Sequence, residues 1–349
     1  MTAALTVEDA VDLTRLSAWI RASGLGDGVI DAPVVLTGGT QNILLRFRTG
    51  GRDVVLRRPP AHPRPNNNQL LLREARVLQA LGSTAIPHAR LLGICDDPSV
   101  IGSTVFFLME AVEGFNPAVE LPEHLSDQSG RDRLALAATD ALAQLGSVDH
   151  EAIGLADLGR PAGFLQRQVT RWVAEREKYL ALDGYDGVAL PGFEAVRDYL
   201  ADAVLPTFRP GLIHGDYHFG NLIFDASSAK LAAVLDWEMS TIGDPLLDLG
   251  RFLAMWPDEH EVIMTSGGIW TAGPLPPPDT IAARYAERSG RSLEHLAWYV
   301  VMGCFKLGII LEGTYARACA GQAPLEVGLA LHDTAVRLFE RATRLVGRT

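Results

Sequence analysis

Along the first hundred residues the apolar positions come in short runs set off by turn residues, and further on they recur at helical spacing. Residues 34–36, 43–47 and 54–57 are β-rich runs separated by Thr37-Gly38-Gly39-Thr40 and Thr49-Gly50-Gly51. They predict a three-stranded antiparallel meander with a glycine loop at its first turn. Ahead of it, Thr6-Val7-Glu8-Asp9 reads as a helix cap. Leu13, Leu16 and Ile20 follow at helical spacing, so the pattern predicts one N-terminal helix closed by Gly24 and Gly26. Residues 69–81 form an amphipathic helix with Leu71, Ala75 and Leu78 on one face and Glu74 able to face inward. Strands are expected at 91–94 and 105–109. From residue 126 the pattern turns helical, over roughly 130–146, 161–181 and 192–204, then 245–255, 278–289, 292–319 and 325–346, with a Pro/Gly loop at 267–278. The organisation is α+β. A β-rich N-terminal lobe with one internal helix (1–110) leads through a linker near 110–116 into a mostly helical lobe (111–349).

Composition narrows the class. The chain has 349 residues, enough for two lobes, with 48% hydrophobic and 21% charged residues, as in an ordinary globular enzyme. A net charge of −11 disfavours nucleic acid and anionic membranes as partners. Three widely spaced cysteines, Cys95, Cys304 and Cys319, offer no disulfide framework or zinc motif, and a reducing cytoplasm fits them. The N-terminus lacks a basic-then-apolar leader pattern. The apolar runs look too short for a membrane span.

The chemistry concentrates in residues 212–250. An apolar entry, Leu212-Ile213, leads into His214-Gly215-Asp216, and Asn221 follows five residues after Asp216. An apolar hairpin, 222–224 and 231–235, then delivers Asp236. Acids and an amide at these spacings are one way to hold metal ions and a proton acceptor around a phosphate. The Gly38-Gly39 turn lets backbone N–H groups approach a phosphate, or is simply a hairpin turn. Glu74 is an ordinary solvated helix residue unless a cation from the preceding strand meets it. Asp244, just before Pro245, reads as the start of the next helix, and Asp248 as a bond back to the loop.

His214-x-Asp216-x₄-Asn221 with Asp236 resembles the catalytic loop and metal aspartate of protein kinase-like folds. The details look like the aminoglycoside phosphotransferase/choline kinase-like family of small-molecule kinases, where the loop reads HGD and Trp follows the metal Asp, as in Asp236-Trp237-Glu238. The likeness extends to Gly243-Asp244-Pro245, Asp248-Leu249, the Gly-Gly loop with Asn42, Glu74 and Met109-Glu110. Val55-Leu56-Arg57-Arg58-Pro59-Pro60, Leu235 to Thr241, and Phe305-Lys306-Leu307 with Gly313 to Arg317 look like the kinase-like domains related to those fused to some acyl-CoA dehydrogenases.

The resemblance implies a protein kinase-like two-lobed fold and an ATP- and Mg²⁺-dependent phosphotransferase. Asp216 would accept the proton of, or orient, a substrate hydroxyl. Asn221 and Asp236 would bind Mg²⁺. Gly38, Gly39, Thr40 and Asn42 would cover the phosphates. Arg57, standing where the family places Lys, would contact phosphate and pair with Glu74. The backbone at Met109, Glu110 and Ala111 would take adenine. His214 would hold the loop. His218 reads as a packing or solvent residue, with substrate contact as the alternative. Gly215 in place of Arg, and only seven residues between Asp236 and Asp244, leave no peptide platform and point to a small-molecule alcohol. A hydroxyacyl-CoA-type acceptor is the subgroup's suggestion, ahead of an aminoglycoside. Trp172, Tyr179, Trp298, Tyr299, Lys306 and Arg317 are candidate lining. Two other readings stand beside this one. Arg57 favours a non-catalytic nucleotide-binding regulator, and Gly215-Asp216-Tyr217-His218 superficially matches a metallophosphoesterase motif.

Overall fold

The computed structural model describes residues 5–36, 42–60, 66–257, 263 and 267–347. In chain order the helices and strands are α1 (Val7–Ala10), α2 (Leu13–Ala22), β1 (Asp31–Leu36), β2 (Ile43–Thr49), β3 (Arg52–Arg58), α3 (Asn67–Leu81), β4 (Leu91–Cys95) and β5 (Phe106–Glu110). Then come α4 (Gln128–Leu145), α5 (Gln166–Tyr179), α6 (Phe193–Asp202), β6 (Gly211–Ile213), β7 (Leu222–Phe224), β8 (Leu231–Val234), β9 (Thr241–Gly243) and α7 (Leu246–Ala254). The chain ends with α8 (Gly268–Thr271), α9 (Pro278–Ser289), α10 (Leu296–Cys319) and α11 (Leu325–Val346). They form two compact units. The first is Met1–Gly114 with Ile153–Leu155 and Ala232–Ser240, and the second is the remainder.

The first unit is built on a five-stranded sheet in the order β1-β2-β3-β5-β4, antiparallel throughout. The meander expected from the turn residues is its first three strands. One face packs Leu45, Phe47, Val54, Leu56, Phe106 and Leu108 against Leu16 and Ile20 of α2. The N-terminal helix is two helices rather than one. Thr6 and Asp9 form a reciprocal capping box on α1, but Val11 is extended and Asp12 opens α2 by accepting from the N–H groups of Thr14 and Arg15. In β3 the alternation sends Arg57 and Arg58 to opposite faces. Arg58 is consumed locally, donating to the carbonyls of Ala10 (2.9 Å) and Pro59 (3.1 Å).

The second unit is helical apart from short strands, with β6 and β9 paired antiparallel. Its axis is α10, packed against α5, α6, α7 and α11. This helix corrects one expectation. It is 24 residues long with a mean hydropathy of 1.5 over its apolar window, so by length and composition it could span a membrane. In the fold 67% of that window is buried, which makes it the core helix of this unit. The Pro/Gly segment expected as loop also carries α8.

The crossing of α7 over α10 is close because Gly250 and Gly303 face each other there. A Cβ on Gly250 would lie 2.1 Å from the Tyr299 carbonyl oxygen, and one on Gly303 would lie 2.6 Å from the Gly250 oxygen. These neighbours are backbone atoms and cannot rotate away. Gly250→Ala should therefore force the helices apart at a cost of about 1–3 kcal/mol, read as a lower urea midpoint with an unchanged slope. A midpoint equal to that of wild type would show that the crossing has slack.

Candidate active site

Each unit carries a partly buried cluster of charged groups built on the motif residues. In the first, β3 presents Arg57, α3 presents Glu74, and the segment after β8 presents Asp236 and Glu238. Arg57 is 8% and Glu74 3% exposed. The expected Arg57–Glu74 ion pair is formed, at 3.0 Å from Nε to Oε2. The same guanidinium reaches further. Its Nη2 donates to Asp236 Oδ1 at 2.6 Å and to Glu238 Oε2 at 3.4 Å. Asn42 Nδ2 also donates to Glu238, at 3.3 Å. Glu74 in turn accepts the backbone N–H of Trp237. Trp237 is buried and donates its indole N–H to the Val234 carbonyl at 2.9 Å, which anchors this segment.

Burial pushes the Glu74 carboxyl up to about 8, against the pull of Arg57. Burial also opposes the charge on Arg57, but Glu74 and Asp236 outweigh it and hold the guanidinium above its ordinary range. Asp236 adopts the left-handed conformation, φ 65° and ψ 65°, which non-glycine residues seldom take. Its side chain remains 38% exposed. With Glu74 largely protonated at neutral pH, Asp236 and Glu238 still set two carboxylates against one guanidinium, so the cluster carries excess negative charge, and Asp236 offers a hard oxygen at its open side. Those properties fit Mg²⁺, which takes one or two protein carboxylates and leaves its other positions to water and phosphate.

The remaining nucleotide residues divide. Gly38, Gly39 and Thr40 lie outside the described residues. At the end of β5 the N–H of Glu110 donates to the Arg90 carbonyl (2.9 Å) and that of Ala111 to the Asp53 carbonyl (3.0 Å). Both donors are thus spent inside the unit. Met109 pairs with Val55 in the sheet.

In the second unit the loop after β6 is held from behind by α7. Asp248, 2% exposed, accepts the N–H of His214 at 2.6 Å and of Gly215 at 2.8 Å. Gly215 has φ +85°, so the chain turns there without a Cβ penalty. His214 is fully buried and its Nδ1 accepts the N–H of Asp216 at 3.2 Å. Asn221 donates its amide to the Asp216 carbonyl at 3.0 Å, leaving Oδ1 as the atom it can offer a cation.

Three groups meet the Asp216 carboxylate, the first being Asn221, whose Nδ2 lies 3.5 Å from Oδ2. Arg251 places Nε at 3.0 Å and Nη2 at 2.9 Å from Oδ1. His218 Nε2 lies 3.4 Å from Oδ2. His218 Nδ1 accepts the Gly220 N–H at 3.1 Å, so the neutral ring carries its proton on Nε2, facing Asp216. Burial depresses the His218 pKa and keeps the ring neutral. Burial works against ionisation of Asp216, but Arg251 and His218 prevail and hold its carboxyl well below the usual range. Lys306 donates to the Gly215 carbonyl and stands 5.5 Å from the Trp172 ring centroid.

Several of these groups differ from the sequence expectation or have no counterpart in it. His218 is a partner of Asp216 rather than a packing or solvent residue. Its Nδ1 is taken by Gly220 and its Nε2 faces Asp216. Lys306, expected as lining, supports the loop backbone. Trp298 and Tyr299 belong to the core. Trp298 donates to the Leu200 carbonyl (3.2 Å) and Tyr299 to Asp244 (2.6 Å). Arg251 was missed, although it stands three residues after Asp248 on one helix face, a spacing that brings side chains together. Asp244 does serve the start of α7, accepting from Leu246 at 3.1 Å.

Residues 34–297 match the model of the phosphotransferase enzyme family. A chicken (Gallus gallus) protein named acyl-CoA dehydrogenase family member 11 is 34% identical over 300 residues. That match takes in 82% of this chain, which spans 37% of the relative's length. A solved structure of a candidate aminoglycoside phosphotransferase from Ralstonia eutropha superposes with a TM-score of 0.74 at 26% identity, covering 96% of this chain and 99% of that one. An aminoglycoside phosphotransferase APH(4)-Ia variant, solved with ADP and hygromycin B, has a TM-score of 0.58 at 15% identity, over 95% of this chain and 97% of that one. That last likeness concerns the fold alone. These matches agree with the two-lobed kinase-like fold and with the acyl-CoA dehydrogenase-associated subgroup expected from the motifs.

Lys306 yields a test in pH. Burial pushes its ammonium down to about 8, although Asp216 and Asp248 pull it up. Between there and the ~10.4 of a free lysine, the unfolded chain holds a proton that the folded chain has lost. The group therefore contributes more to stability as pH rises through that window. Urea unfolding at about pH 7.5 and about pH 10 should show wild type gaining stability relative to Lys306→Met. A difference independent of pH would place the lysine in an unperturbed environment.

Proposed function

The chain belongs to the phosphotransferase enzyme family, and we propose that it transfers the γ-phosphoryl group of ATP, with Mg²⁺, to a hydroxyl of a small molecule. The observation that carries this reading is Asp216, an ionised carboxylate fixed by Arg251 and His218 on a loop locked by Asp248. Phosphoryl transfer calls for positioning and charge stabilisation more than for a strong base. A carboxylate of low basicity suits that demand. It orients the hydroxyl and receives the proton as the new O–P bond forms. The bond from the γ-phosphorus to its bridging oxygen breaks, and the electrons leave with ADP.

Asp236 and Asn221 would hold Mg²⁺, which when bound neutralises charge on the phosphates. Arg57, forked between Glu74 and Asp236, would keep the phosphate side of the reaction aligned. The acceptor we favour is a hydroxyacyl-CoA-type metabolite. The support is the acyl-CoA dehydrogenase name of the relative matched over 82% of this chain. A non-catalytic nucleotide-binding role is the second reading. It is favoured by Arg57 lying 2.6 Å from an oxygen of Asp236 that a metal ion would also seek.

An ADP-release assay against metabolite alcohols, hydroxyacyl-CoAs and aminoglycosides tests the proposal. Asp216→Ala should lower turnover by about 10²–10⁴-fold while calorimetry shows nucleotide binding retained. Undiminished turnover in the variant would reject the role of Asp216. Magnesium-dependent ATP binding with no transfer to any acceptor would favour the second reading.

A further inference from the structure

Apart from the Asp216 cluster, the second unit holds a cavity of about 330 Å³, at the small end of ligand sites. Its lining includes Thr207, Arg209, Asp244, Arg291, Ser292 and Tyr299. Two guanidiniums therefore share one cavity. Among the described residues neither has a carboxylate within ion-pair distance. Arg291 donates Nη1 to the Arg209 carbonyl (2.7 Å) and Nη2 to the Gly146 carbonyl (2.8 Å), and its buried Nε has no hydrogen-bond partner. Among the described residues the Arg209 side chain makes one hydrogen bond, to the Ser289 carbonyl at 3.3 Å.

Asp244 attracts Arg291 from the wall but makes no hydrogen bond or ion pair with it. Asp244 is 1% exposed, and its oxygens are occupied by the Leu246 N–H (3.1 Å) and the Tyr299 hydroxyl (2.6 Å). Glu294, also on the lining, is exposed to solvent. Burial pushes the Arg291 pKa down and Arg209 adds to that depression, against the pull of Tyr285, Asp244 and Tyr299. Like charges in a partly desolvated space repel, and an anion between them would relieve the cost. Guanidinium forks match the planar or tetrahedral oxygens of carboxylate and phosphate. The hydroxyls of Thr207 and Ser292 add neutral donors.

We propose that this cavity binds a small molecule through an oxyanion, phosphate or carboxylate, held by Arg209 and Arg291. It sits at the root of α7, the helix that carries Asp248 and Arg251, and so is separate from the Asp216 carboxylate while sharing a helix with its supports.

The test uses the full chain and does not depend on catalytic activity. Thermal unfolding is followed at constant ionic strength with chloride replaced by inorganic phosphate or by succinate, in wild type, Arg209→Gln and Arg291→Gln. The expected result is a rise in midpoint that both variants reduce by half or more, with a tungstate ion beside both guanidiniums in soaked crystals. Arg209 is exposed and its side chain makes one long hydrogen bond among the described residues, so its replacement leaves the fold intact and decides the matter if Arg291→Gln unfolds. A response to phosphate alone assigns the site to phosphate compounds, and one to succinate alone assigns it to carboxylates. No rise with either anion, a rise that survives in Arg209→Gln, or a response to phosphate with tungstate found only elsewhere would overturn the proposal.

Discussion

The second unit depends on one buried carboxylate. Asp248 has left water almost completely, and a lone carboxylate there would be costly by several kcal/mol. Two short charge-assisted bonds from His214 and Gly215 offset that cost, and they tie the loop to α7 at two consecutive residues. With the backbone pinned, Asp216 has few ways to point. Arg251, on the same face of α7, then engages its carboxylate. One face of one helix thus supplies both the anchor of the loop and the cation that keeps its acid ionised. Lys306 adds a third restraint from α10 through the Gly215 carbonyl.

The first unit solves a related problem with the charges reversed. A single guanidinium stands among Glu74, Asp236 and Glu238. The fork of arginine matters here. Nε serves one carboxylate and Nη2 the other two, a division that the compact ammonium of lysine makes without fixed directions. This gives a physical sense to the departure from the family's lysine. The residue behaves as a bracket joining β3, α3 and the segment after β8, as well as a positive charge.

What was legible in the sequence was what lies close together in it. The loop from His214 to Asn221 is contiguous, so its spacing could be read directly. The Arg57–Glu74 pair came from the family resemblance; helix periodicity alone allowed Glu74 to face inward but named no partner. Arg251 and Lys306 stand 35 and 91 residues from the groups they hold, and nothing periodic links them to the loop. A lone lysine in an apolar helix was a clue, since buried ammonium groups need partners. The division of α1 from α2 was hidden because one cap motif was followed at once by a second, at Asp12. The N–H groups of Glu110 and Ala111 were harder still. Their partners depend on sheet neighbours that composition does not reveal.

The left-handed backbone of Asp236 bears on how such chains diverge. Most side chains would strain that position, but asparagine adopts it at least as readily as aspartate. A one-base codon change exchanges a carboxylate oxygen for nitrogen and leaves the main chain where it was. Arg57 would still have Glu74 and Glu238, so the bracket would persist. Replacing Asp236 in this way would therefore change the charge of the cluster while the bracket between β3, α3 and the segment after β8 stays closed.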